Sequence, residues 1–221
     1  MCPEGPGYPV VPGFLFMRQI IFFIDGFNVY HALEENPQYH KYKWLDFSKL
    51  AGCFITKQDL IVDIFYFTSY ADWNPAKRAR HKILIEALKM KKVNIIFGKF
   101  KYRDKKCRLC GGVYQIPEEK QTDVNIAIKL FQAAIKDDFD RAIIISGDGD
   151  LIPAIKAVKE SFPHKEIGLV IPIGRHAEEL KNACDFHMKM KEKHLLDSQF
   201  PDEIIIDPVK KISLKRPPSW V

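Results

Sequence analysis

Ile143-Ile144-Ile145-Ser146-Gly147-Asp148-Gly149-Asp150-Leu151 is the stretch on which the fold turns. An apolar β-branched run stops at two carboxylates separated by one glycine, and an apolar-periodic segment (Leu151, Ile152, Ile155, Val158) follows at once. That pattern predicts a buried strand delivering acids to a helix start. Glycines at 147 and 149 keep side chains out of the turn, so the backbone can bend and a ligand can come close. A plainer reading competes, because Asp ahead of an apolar-periodic run also caps helices. Two acids exceed what one cap needs, so the choice depends on acids elsewhere.

Upstream, residues 19–24 form a similar apolar run closed by Asp25-Gly26, a second acid at a strand end, with Asn28 one turn on and a short helix through Val29, Tyr30 and Leu33. Residues 60–67 and 93–97 read as further strands. Between them Asn74-Pro75 opens a helix whose basic face (Lys77, Arg78, Arg80, Lys82) is either solvated surface or a phosphate track. Residues 98–117 break the rhythm: basic and aromatic residues flank Cys107-Arg108-Leu109-Cys110-Gly111-Gly112, which reads as a protruding β-hairpin. Pro117-Glu118-Glu119 then opens a helix over 120–136, with Asp123, Ala127, Leu130, Phe131, Ala134 and Ile135 along its core-facing stripe. Downstream of the opening motif come a strand over 165–171, Arg175-His176, a short helix over 177–182 and a last strand over 185–190.

Strands and helices alternate, and the strand runs are continuously apolar. The expected class is therefore α/β: a doubly wound parallel sheet with helices on both faces and an inserted β-hairpin bearing Cys-x-x-Cys. Residues 1–17, rich in Pro and Gly up to position 16, are expected to be an N-terminal extension; 18–195 form the domain, and 196–221 a tail loosely held from Phe200. In such sheets ligands bind at the carboxyl ends of the strands, which puts both strand-end acid groups on one edge.

With 221 residues the chain can bury a real core. Its net charge of +6 leans towards a polyanionic partner, although 34 basic residues face 28 acidic ones. No run reaches the roughly 18 apolar residues of a membrane span, so no membrane partner is expected. Five cysteines, an odd count, do not suit a disulfide framework and point to a reducing cytoplasm.

Asp25, Asp123, Asp148 and Asp150 converging in a cleft would repel one another unless a cation joins them. Carboxylates without His or thiolate partners favour Mg²⁺ or Mn²⁺ over Zn²⁺, and such a site suits phosphodiester or phosphomonoester chemistry. A haloacid-dehalogenase phosphatase also uses a strand-end Asp, but it needs a second Asp two residues later, where this chain has Phe27. Asn28 and Ser146 could orient water or phosphate, or serve only as caps.

With these residues in hand, the sequence resembles the NYN domain family of the PIN-like nuclease superfamily. The resemblance spans roughly residues 18–190 and rests on Phe23-Ile24-Asp25-Gly26-Phe27-Asn28-Val29-Tyr30, Glu119-Lys120-Gln121-Thr122-Asp123-Val124, Ser146-Gly147-Asp148-Gly149-Asp150-Leu151 and, more weakly, Ala183-Cys184-Asp185-Phe186. It implies a flavodoxin-like α/β sandwich and metal-dependent RNA cleavage, with Asp25, Asp123, Asp148 and Asp150 as metal-binding acids. The family usually has a small residue where Gln121 stands.

The function expected is a Mg²⁺- or Mn²⁺-dependent ribonuclease; the alternative is an RNA- or partner-binding module that kept the acids as a scaffold. Lys101, Arg103 and Arg108 on the hairpin would grip an RNA backbone while Phe100 or Tyr102 stacks a base, against a merely solvated hairpin. Arg175 and His176 would contact phosphate or form a surface pair. Cys107 and Cys110 are half of a zinc knuckle. Zn²⁺ there would need distant ligands or a second chain, hence a homodimer, and the other reading is a thiol pair serving only the hairpin.

Overall fold

The computed structural model describes residues 17–207 and 209–220, so the expected N-terminal extension lies, but for Met17, outside the described residues. The first strand, β1 (Arg18–Asp25), is buried from Ile20 to Asp25 because both faces of a parallel strand are covered. Side chains alternate across it: Ile20, Phe22 and Ile24 enter one core, Ile21 and Phe23 the other. The chain continues through α1 (Gly26–Glu34), a short 3-10 turn, α2 (Phe47–Gly52), β2 (Asp59–Thr68) and α3 (Pro75–Met90) to β3 (Asn94–Phe97). Asn74 caps α3 by accepting the Lys77 N–H at 2.9 Å.

The hairpin follows as β4 (Lys99–Lys106) and β5 (Val113–Lys120), paired antiparallel from Lys99 opposite Lys120 to Lys106 opposite Val113. Then come α4 (Thr122–Ile135), β6 (Arg141–Ile145), α5 (Ile152–Ser161), β7 (Glu166–Ile171), α6 (Glu178–Ala183), β8 (Phe186–Lys189) and α7 (Glu192–Asp197). A second hairpin, β9 (Glu203–Asp207) and β10 (Ile212–Lys215), follows.

The main sheet is parallel, in the order β3-β2-β1-β6-β7-β8. From β1 the chain winds outward through β2 and β3, then returns to β6 on the other side of β1 and winds outward again. The boundary between β1 and β6 is thus the topological switch point, where doubly wound sheets open a crevice at their carboxyl edge. One core layer packs α2, α3 and α7 on the sheet, and the other packs α4, α5 and α6. No helix among the described residues is long and apolar enough to cross a membrane.

Three expectations need correction. Pro117, Glu118 and Glu119 lie in β5 and do not open a helix. Pro117 is tolerated opposite Tyr102 because the two-stranded ribbon leaves each strand one free edge. The buried stripe of α4 is Thr122, Ile126, Leu130, Ala133 and Ala134, with Ile135 61% exposed. Relative to expectation the helix is turned by one residue, which moves Asp123 from the core to its margin. Finally, the segment beyond Phe200 is not loose: Trp44 lies 5.2 Å from Phe200 and 6.4 Å from Trp220 between ring centroids, and Trp220 is buried. Two aromatics anchor a stretch whose prolines and lysines read as a tail.

Gln121 joins β5 to α4 with φ +80°, the left-handed region that glycine occupies without strain. Gln121→Gly is expected to raise unfolding stability by about 0.5–1 kcal/mol, the relieved strain being partly offset by glycine's greater unfolded freedom. Denaturant titration checks this, and a loss of stability would contradict it.

Candidate functional site

Asp25 ends β1 and caps α1. Its Oδ1 accepts the Asn28 N–H at 3.0 Å, and its Oδ2 accepts the Ser146 hydroxyl at 2.8 Å. Asn28 Oδ1 accepts the Gly147 N–H at 2.9 Å, and Ser146 Oγ accepts the Asp148 N–H at 3.1 Å. The ends of β1 and β6 are thereby stitched together across the switch point. Asp148 in turn caps the 3-10 turn Gly149–Leu151 by accepting the Asp150 N–H at 3.0 Å. The capping role and the cluster described next therefore coexist. Of the two glycines, 147 is the constrained one: a Cβ there would lie 3.3 Å from Asn28 Oδ1, whereas at 149 the nearest atom is 3.9 Å away. Gly26 is tighter still, since a Cβ would meet the Phe67 carbonyl oxygen at 2.7 Å.

Asp123, in the first turn of α4, completes a group. One carboxylate oxygen from each of Asp25, Asp123 and Asp148 lies within 4.8 Å of the others. Asp150 falls outside this group and is exposed, although its charge still reaches Asp123. Burial pushes the Asp25 carboxyl up to about 6; hydrogen bonds from Asn28 and Ser146 oppose the rise, and Asp148 and Glu119 add to it. Asp123 is likewise pushed up to about 6, by burial and then by Asp148, Asp25, Glu119 and Asp150. Among the described residues none of the four aspartates has a Lys or Arg within 4.0 Å. Three hard oxygen donors, crowded and without a cationic partner, fit a divalent metal ion.

A pH signature follows. A raised folded-state pKa means stability is full below the ordinary value of 3.8 and lost as pH rises through about 6. Without added metal the thermal midpoint of wild type, taken relative to that of Asp25→Asn, is expected to fall as pH rises from about 4 to about 7, and Mn²⁺ is expected to raise the wild-type midpoint at about pH 7.5 but not at about pH 4. Scanning fluorimetry reads this directly. A midpoint insensitive to Mn²⁺ at both pH values would sink it.

The three acids open into a cleft of about 800 Å³ at the carboxyl edge of the sheet. Arg175 and His176, which follow β7, line it. Arg175 pairs with Glu35 at 2.9 Å while its Nε is buried without a partner. Asn28 lines the cleft too, but its carbonyl is committed to Gly147. Ser146 is fully buried, donating its hydroxyl to the Asp25 carboxylate and accepting the Asp148 backbone N–H. Lys101, Arg103 and Arg108 stand exposed on the hairpin and do not line the cleft. Cys107 and Cys110 occupy the hairpin turn with free thiols, and hydrogen bonds from the Cys110 and Leu109 backbones lower the Cys107 pKa.

Glu119 is a site residue missed in the sequence. From β5 it lines the cleft, accepts the Thr122 N–H at 3.2 Å and the Thr122 hydroxyl, and repels both Asp25 and Asp123. Trp73 and His81, near the start of α3, and Trp220 also line the cleft. Burial lowers the His81 pKa to about 4, so the ring is neutral there.

The NYN domain model matches residues 19–191. A 6-hydroxy-3-succinoylpyridine 3-monooxygenase from Pseudomonas putida is 28% identical over a 186-residue alignment that covers 68% of this chain and 58% of that protein. This chain thus spans little more than half of that relative's length. A crystal structure of a protein of unknown function from Vibrio parahaemolyticus superposes with a TM-score of 0.56 at 18% identity, covering 84% of this chain and 98% of that one, and so shares the fold. With a family model that runs from β1 to β8 and includes the three acids, the chain belongs to the NYN domain family.

Proposed function

We propose that the protein is a Mg²⁺- or Mn²⁺-dependent ribonuclease. The observation that carries the reading is the convergence of Asp25, Asp123 and Asp148 within 4.8 Å at the switch point, with no cationic partner among the described residues. Family membership supports nuclease chemistry, and the net charge of +6 supports a polyanionic substrate. Asp25, Asp123 and Asp148 would hold the ion, with Asp150 at the rim. When bound, such an ion lowers the pKa of an attacking water and offsets charge on the phosphate. The chain's own part is to fix the carboxylates through Ser146 and Asn28 and to offer Arg175 and His176 to phosphate oxygens. Lys101, Arg103 and Arg108 would hold RNA flanking the cleft.

Two subsidiary readings accompany this. Cys107 and Cys110 would hold zinc only with distant ligands or with a second chain, the latter giving a homodimer, and the other reading is a thiol pair that serves only the hairpin. The free thiols suit a cytoplasmic location. The monooxygenase activity named for the Pseudomonas relative stays with that protein, because this chain spans only 58% of it. The deciding assay is RNA cleavage with Mn²⁺ by wild type and Asp148→Asn. Binding without turnover would instead support a module that keeps the acids as a scaffold.

A further inference from the structure

The cleft has an aromatic side that metal chemistry does not use. Trp73, in the loop before α3, remains 38% exposed although its ring centroid lies 4.2 Å from that of Phe100 at the base of β4. Phe27, at the start of α1, meets the same Phe100 at 5.3 Å. Both pairs are edge-to-face, with interplanar angles of 76° and 80°. Phe27 also stacks on His31 at 6.2 Å, whereas Trp73 has no stacked aromatic partner among the described residues. Lys77 and Arg80 of α3 line the same cleft, and neither has an acidic partner within 4.0 Å among the described residues. An unstacked indole in a cleft that also holds two unpaired cations matches the two halves of a nucleotide, a planar base and a phosphate.

Resting on the ribonuclease reading, we propose that Phe27, Trp73 and Phe100 form a nucleobase subsite that stacks one unpaired base of the RNA strand, with Lys77 and Arg80 taking a phosphate next to it. A base inside a duplex has both faces covered by its neighbours and cannot enter such a subsite. The hairpin therefore contributes Phe100 to recognition at its base, while its basic tip holds flanking strand.

The test is binding, measured by fluorescence anisotropy in an Asp148→Asn background so that turnover does not intervene. The probes are a short single-stranded RNA, the same strand with abasic residues, and its duplex. Trp73→Ala is expected to weaken binding of the base-bearing strand about tenfold, within the range for loss of one base–aromatic stack, and Trp73→Phe to restore most of it. The abasic strand and the duplex should bind more weakly to begin with and be indifferent to Trp73→Ala. Equal binding of abasic and base-bearing strands, or an unchanged affinity in Trp73→Ala, overturns the subsite. Failure of the ribonuclease reading shows separately, as absence of cleavage by wild type with Mn²⁺ while the Trp73 effect on binding persists.

Discussion

Asp148→Asn is expected to lower Mn²⁺-dependent RNA cleavage by about a hundred- to a thousandfold, the size of effect seen when a group stabilising transition-state charge is removed. The substitution keeps the local fold. Asparagine retains the side-chain oxygen that accepts the Asp150 N–H, and Asn caps helices as well as Asp does. Thermal stability without metal should therefore stay close to wild type or rise slightly, because one of the charges repelling Asp25 and Asp123 is gone. Activity and stability then move independently, which separates a lost ligand from a lost fold. A variant that cleaves at the wild-type rate would remove Asp148 from the chemistry.

Asp25→Asn carries the second large effect, and its sign is unusual for a buried position. Asp25 is 4% exposed, and its carboxyl is pushed from 3.8 up to about 6. At 1.36 kcal/mol per pH unit, that elevation is a stability penalty of up to about 3 kcal/mol once the group ionises. Asparagine keeps the acceptor for the Asn28 N–H and carries no charge, while its amide nitrogen cannot accept the Ser146 hydroxyl, a loss that is the same at either pH. In metal-free buffer the variant is expected to gain about 1–3 kcal/mol on wild type as pH rises from about 4, where Asp25 is already protonated, to about 7.5. It should lose cleavage and retain RNA binding. Urea titration at both pH values decides the matter: the Ser146 bond is lost at either pH, so a variant that gains nothing on wild type between about pH 4 and about pH 7.5 would show that the carboxylate is satisfied without a cation.

Much of this was legible in the chain. The runs ending at Asp25 and Ser146 announced fully buried strands, since a parallel strand covered on both faces cannot alternate apolar with polar residues. What the runs could not say is that β1 and β6 are neighbours, and the switch point depends on that pairing. Asp123 shows the limit of periodicity. Its proximity to the site was readable, but a rotation of one residue along α4 decides between core and cleft, and only packing of Ile126 and Leu130 fixes it. Glu119 was hidden because Pro117 suggested a helix start, whereas the ribbon tolerates proline at a free edge. Trp73 and Trp220 carry no local signal, since their approach to the acids comes from segments far apart in sequence.

The central claim is that the carboxylate group is a metal centre, and isothermal titration calorimetry with Mn²⁺ at about pH 7.5 tests it most directly, because near that pH Asp25 and Asp123 are largely ionised. Wild type is expected to give a saturable isotherm, and Asp148→Asn an affinity lower by about tenfold or more. No heat of binding in wild type, or indistinguishable isotherms for the two proteins, would contradict it.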